Sequence, residues 1–151
     1  MSEDLASKKC IPCEGGIPNF DITEIHKYLK MVDGWEVKSD ENKIYYLIKN
    51  FKFKNFLESQ QFVNKVGDIA EKEGHHPDIW FGWGYAKIKI FTHAIKGLHE
   101  SDFVLAAKVD RISYFFRLKS SSLFYRNFTT IYSAWLTGSN TYCGKVLSNN
   151  N

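Results

Sequence analysis

The chain has 151 residues, 44% hydrophobic and 25% charged, which is the size and balance of one globular domain and excludes a fibrous or disordered chain. Five of the 20 basic residues and none of the 17 acidic ones lie after Asp110, so the net charge of +3 comes from the C-terminal end and residues 1–110 are acidic by two; a direct nucleic-acid partner is not expected. No run approaches about 18 apolar residues and positions 1–10 are polar, so neither a membrane span nor a secretory signal is expected, and the cytosol (with the nucleus open to it) is the expected compartment.

Residues 1–20 read as an irregular arm, with two prolines and two glycines within CIPCEGGIPNF. The three cysteines, Cys10, Cys13 and Cys143, are an odd count that suits a reducing compartment. Asp21 can cap a helix over Ile22–Val32, where apolar residues recur at three and four, and Gly34 would end it. Trp35–Lys38 and Ile44–Phe51 read as strands around a Ser-Asp-Glu-Asn turn. Phe56, Gln60, Val63, Val66, Ile69 and Ala70 then trace one face of a long helix, with Asn55 as its cap and Gly74 as its stop.

A second hairpin follows: Ile79–Phe81, a corner at Gly82-Trp83-Gly84, and Ala86–Thr92. Ala86, Ile88 and Ile90 alternate with Lys87, Lys89, Phe91 and His93, so His93 is expected on the open, lysine-bearing face. A last helix begins near Glu100 and is apolar almost all round, which predicts burial on more than one side, with a subunit interface as the second partner. The order α-β-β-α-β-β-α predicts an α+β domain over 21–112, a four-stranded antiparallel sheet with three helices on one face. From residue 113 the chain is free of acids and rich in aromatics, without a sustained period. It reads as a separate tail that extends the last helix by a turn or two, and its role is not legible.

His75 and His76 precede one strand of the second hairpin and His93 follows the other, so antiparallel pairing brings three imidazoles to one end of the sheet. An imidazole can both give and take a proton near neutral pH, and a cluster suits a reaction that needs both steps. Glu71, one turn earlier, can orient an imidazole or stand as a solvated helix carboxylate. Asp102 can serve the site or favour the first turn of its helix. Pro77 reads as a rigid turn, and Trp83 as a pocket wall or a packed corner.

Glu71, His75, His76, Pro77, Trp83, His93 and Asp102, with every spacer between them, match a pattern of one known family. On these residues, on Gly34-Trp35, and on the arm (Cys10, Pro12, Cys13, Glu14, Gly15, Gly16) the chain resembles the pterin-4a-carbinolamine dehydratases over residues 10–112. The resemblance implies a hydro-lyase that removes water from a 4a-hydroxytetrahydropterin to give quinonoid dihydropterin, in tetrahydrobiopterin recycling, with no cofactor and no metal. It further implies that His75, His76 and His93 are catalytic, that His75, His76, Pro77, Thr92, His93, Ala94 and Ile95 contact the pterin, and that Glu71, Trp83 and Asp102 support them. It implies a homodimer or homotetramer, and some relatives also serve as dimerisation partners of a transcription factor. Two positions depart from the pattern: Ile79 and Trp80 where many relatives place Trp one residue earlier, and His99 where Ser or Thr caps the last helix, a loss of about 1 kcal/mol. A zinc site built from the three histidines and Glu71, with Cys10-x-x-Cys13 as half of a motif, is the competing chemistry.

Overall fold

The computed structural model describes residues 4–10 and 18–120. The chain divides into two compact units, Met1–Phe116 and Arg117–Asn151, and the second is described only as far as Ser120, the end of the last helix. Pro12, Cys13, Glu14, Gly15, Gly16 and the aromatic tail from 121, with Cys143, lie outside the described residues.

Helix α1 (Ile22–Leu29) starts at a capping box: the Asp21 carboxylate accepts the Glu24 N–H at 2.8 Å, and Glu24 reaches back to the Asp21 N–H at 3.4 Å. It is shorter than the apolar spacing predicts. Two turn hydrogen bonds, Met31 N–H to Tyr28 and Val32 N–H to Leu29, carry the chain onward and still bury Val32. Strands β1 (Glu36–Ser39) and β2 (Tyr45–Lys52) flank a turn in which Asp40 Oδ1 accepts the N–H groups of Asn42 and Ile44, each at 2.9 Å. Helix α2 (Phe56–Glu73) is capped by Asn55, whose Oδ1 accepts the Glu58 N–H at 2.9 Å, and stops at Gly74 in the left-handed conformation, φ 65°. Strands β3 (Asp78–Gly82) and β4 (Tyr85–Ile90) form the second hairpin, and helix α3 (Glu100–Ser120) closes the unit.

The four strands are antiparallel in the order β1-β2-β4-β3, with the helices on one face: the α+β architecture expected from the element order. Leu47 and Phe51 of β2 pair with Ile90 and Ala86 of β4 and face the core, where Phe62 and Val66 of α2 and Phe103, Leu105 and Val109 of α3 are fully buried. Each large side chain among these contributes roughly 1.5–3 kcal/mol by leaving water. The opposite face is open. There Lys87 lies 4.9 Å over the Trp80 ring, and Lys89 lies 4.6 Å over Tyr46 and 4.7 Å over Phe91.

One lysine breaks the alternation. Lys49 pairs with Ile88 and so faces inward, 8% exposed, where its ammonium meets Asp110 of α3 at 2.6 Å and also the Asp33 carbonyl. Trp35 donates its Nε1–H to the same carboxylate at 3.1 Å. Burial still holds the Asp110 carboxyl above its usual range, against the opposing pull of Lys49 and Trp35.

Within the chain, the N-terminal arm supplies the second cover that the all-round apolar α3 requires. Residues Leu5–Ser7 make one turn of 3-10 helix, and Leu5, Ala6 and Cys10 are buried. Lys8 pairs with Glu100 at 2.9 Å, Asp4 pairs with Arg111, and the Cys10 thiol donates to the Ser101 carbonyl at 3.6 Å. Lys108 of α3 and the Cys10 N–H both hold Glu73 of α2, at 2.6 and 2.9 Å. Where His99 offers α3 no side-chain cap of the Ser or Thr kind, Asp102 in the first turn accepts the His99 N–H at 2.7 Å, which supplies the return half of a capping box.

Candidate active site

The site is assembled where α2 hands over to β3 and where β4 hands over to α3. At the first junction the Gly74 N–H bonds back to Glu71 and the His75 N–H to Ala70, a Schellman arrangement that Gly74 accommodates without a Cβ penalty. This fixes where two adjacent histidines leave the helix. His75 turns inward and is 3% exposed; His76 turns outward, its side chain 61% exposed.

His75 Nε2 lies 3.0 Å from Asp102 Oδ1. Asp102 is fully buried, and its carboxylate also accepts the Thr92 hydroxyl at 3.0 Å and the His99 N–H at 2.7 Å. A carboxylate offers only lone pairs, so the proton of the His75 contact sits on Nε2. On the surface, His76 Nε2 meets Glu71 Oε1 at 2.8 Å, both side chains exposed.

At the second junction β4 ends at Ile90, before Thr92, and His93 opens a single 3-10 turn, His93–Ile95. The alternation of the strand therefore does not itself place His93. Its exposed ring lies 4.1 Å from that of Phe91, the last outward-facing residue of that alternation. Thr92 and Gly97 exchange both backbone hydrogen bonds, Thr92 N–H to Gly97 O at 2.9 Å and Gly97 N–H to Thr92 O at 3.4 Å, and so close the loop that carries His93, Ala94 and Ile95. Lys96 within it holds φ 50°, a left-handed conformation that costs a non-glycine residue about 1 kcal/mol. A Cβ on Gly97 would stand 2.7 Å from the Asn19 side chain.

Thr92, expected with His93–Ile95 against the pterin, is 4% exposed and turns its hydroxyl to Asp102. Trp83, expected to wall the pocket or pack as a corner, does neither: it is 73% exposed in the turn between β3 and β4. That turn is the far end of the hairpin, roughly 16 Å of strand from the histidines. Pro77 lies between His76 and β3, half-buried. No sequence motif marks Phe91 or Gly97; the ring contact of Phe91 with His93 and the closure at Gly97 are visible only in the fold. Among the described residues no three His, Cys, Asp or Glu side chains are grouped to hold a metal ion, and Cys13 lies outside them.

The α+β fold thus brings two junctions together, each with a surface imidazole, beside a buried His–carboxylate contact. The chain belongs to the pterin 4 alpha carbinolamine dehydratase family, whose sequence model matches residues 18–112. It is 52% identical over 112 residues to a protein of Rubrobacter xylanophilus provisionally named a pterin-4-alpha-carbinolamine dehydratase, covering 74% of this chain and all of that one. A protein of the same provisional name from Methylococcus capsulatus is 49% identical over 109 residues, 72% of this chain and 93% of its own. Among solved structures, a protein of Brucella melitensis described as a transcriptional coactivator/pterin dehydratase is similar with a TM-score of 0.57 and 26% identity, over 63% of this chain and 98% of that one. No helix among the described residues is long and apolar enough to cross a membrane.

Proposed function

We propose that the protein dehydrates a 4a-hydroxytetrahydropterin to quinonoid dihydropterin, with imidazoles moving the protons, and so serves tetrahydrobiopterin recycling. In this step a ring-nitrogen lone pair forms the C4a=N bond as the C4a–O bond breaks. The departing oxygen takes one proton and leaves as water; the ring system gives one proton to a base. One group that donates and one that accepts are enough, and neither an oxidant nor a reductant enters.

The observation that carries this reading is the contrast among the three histidines. His76 and His93 open to solvent from two adjoining junctions, while Nε2 of His75 is committed to Asp102. His76 and His93 are accordingly the proton-transferring pair, with Glu71 orienting His76. Pro77, Ala94 and Ile95 frame the pterin between them. A role as a transcriptional coactivator, the description that the Brucella relative carries, would leave this chemistry in place.

The test is the rate of dehydration of a 4a-carbinolamine generated in situ, with the spontaneous rate subtracted. His76→Ala and His93→Ala should each lower turnover by about 10²-fold, the usual contribution of a positioned acid or base, and EDTA should change nothing. Near-normal turnover in both variants, or loss with EDTA and recovery with zinc, would sink the reading in favour of other residues or a metal.

A further inference from the structure

We infer that Thr92 and Asp102 are positioning residues, a buried clasp that sets His76 and His93 relative to each other; this rests on the dehydratase reading above. Asp102 is donated to by three separate pieces of chain: His75 at the entry to β3, Thr92 after the end of β4, and the His99 N–H at the start of α3. Each of the first two is the sequence neighbour of a surface histidine, His75 of His76 and Thr92 of His93. The carboxylate therefore ties both junctions to one buried group.

A first-turn acid that served only the helix terminus would need none of this, since Glu100 already supplies charge there and an exposed carboxylate would suffice. Asp102 instead sits at 0% exposure with Thr92 at 4% and His75 at 3%. The Thr92 hydroxyl lies within 3.0 and 3.2 Å of the two carboxylate oxygens, while its backbone closes the His93 loop on Gly97. It is the part of the clasp that joins side-chain and backbone order. Lys96, left-handed within that closed loop, persists because the closure over-determines it. Misplacing a proton-transferring group by about 1 Å costs roughly 10²-fold in rate, so loosening the clasp should act on turnover more than on binding.

The experiment compares Thr92→Val, which keeps the side chain's size and loses the donor, with Thr92→Ser, which restores it, and with Asp102→Asn. Thr92→Val should lower kcat by about 10- to 100-fold, the range set by such a displacement, with KM within about three-fold, and Thr92→Ser should recover most of the loss. If Asp102→Asn does not fold, the Thr92 pair decides. A second readout needs no substrate: the His75 Nε2 proton, followed by nitrogen–proton NMR, should exchange with water at least tenfold faster in Thr92→Val than in the wild type, and not in Thr92→Ser. Wild-type turnover in Thr92→Val, an equal loss in Thr92→Ser, or an unchanged Nε2 exchange rate overturns the clasp. If the wild-type protein accelerates no carbinolamine dehydration at all, the dehydratase reading fails by itself and the exchange rates alone decide for or against the clasp.

Discussion

Cys10 shows how a single side chain takes its chemistry from its surroundings. Burial, with the charge of Glu73 adding to it and Lys108 opposing, pushes its thiol from the ordinary 9.0 up to about 12. Below pH 9 the thiol is protonated in both folded and unfolded chains and contributes no pH dependence. As pH rises from 9 toward 12, the unfolded thiol releases its proton and the folded one does not, so stability falls across that window. Urea unfolding at pH 8 and pH 10 should show the wild type losing more stability between the two than Cys10→Ala does; equal losses would place the thiol in a wetter site. Glu73 beside it runs the other way. Burial acts to raise its carboxyl, but the Cys10 N–H and Lys108 prevail and hold it below the usual carboxylate range.

At the level of elements, the helices begin where short-range chemistry tells them to. Asn55 stands in an extended conformation and satisfies the Glu58 N–H, one of the four donors that a helix start leaves without a partner. Asn55→Ala should cost about 1 kcal/mol in urea unfolding, since α2 is the helix whose end carries His75 and His76. A change below a few tenths of a kcal/mol would mean that the fraying first turn contributes nothing to the fold. The start of α3 illustrates the opposite case: His99 is a poor cap by type, the Asp102 N–H is taken by the His99 backbone carbonyl at 3.1 Å, and the Asp102 carboxylate accepts the His99 N–H from inside the core.

For the whole molecule, the question is what the first unit needs in order to stand. Phe116 is the last side chain of α3 described against the core, with ring centroids 5.8 Å from Phe62 and 6.0 Å from Phe53. The core of Met1–Phe116 thus draws on the arm, the sheet and three helices of its own. A chain ending after Arg117 should remain soluble and folded, and should sediment as the same dimer or tetramer as the full chain. That assembly is expected because Trp80, Trp83 and Tyr85 of the second hairpin stand 47%, 73% and 50% exposed. Insoluble protein, or a stable monomer at micromolar concentration from either chain, would defeat the expectation.

The sequence by itself determined the order of elements, the caps at Asp21 and Asn55, the stop at Gly74, the inward set of β4 and the spacing that brings His75, His76 and His93 to two neighbouring junctions. These are legible because caps act over three residues, strands alternate every two, and helices repeat near every four. Only the tertiary structure decided that His75 is buried while its neighbour His76 faces water, that Thr92 points away from the surface, that Lys49 turns inward to Asp110, and that Trp83 stands exposed rather than packed. His75 and Lys49 depend on partners far along the chain, 27 residues from His75 to Asp102 and 61 from Lys49 to Asp110. Local periodicity carries no information about which distant group will neutralise or satisfy a buried polar atom. That choice is made by packing, which leaves a buried donor or acceptor costly unless a partner from another element reaches it.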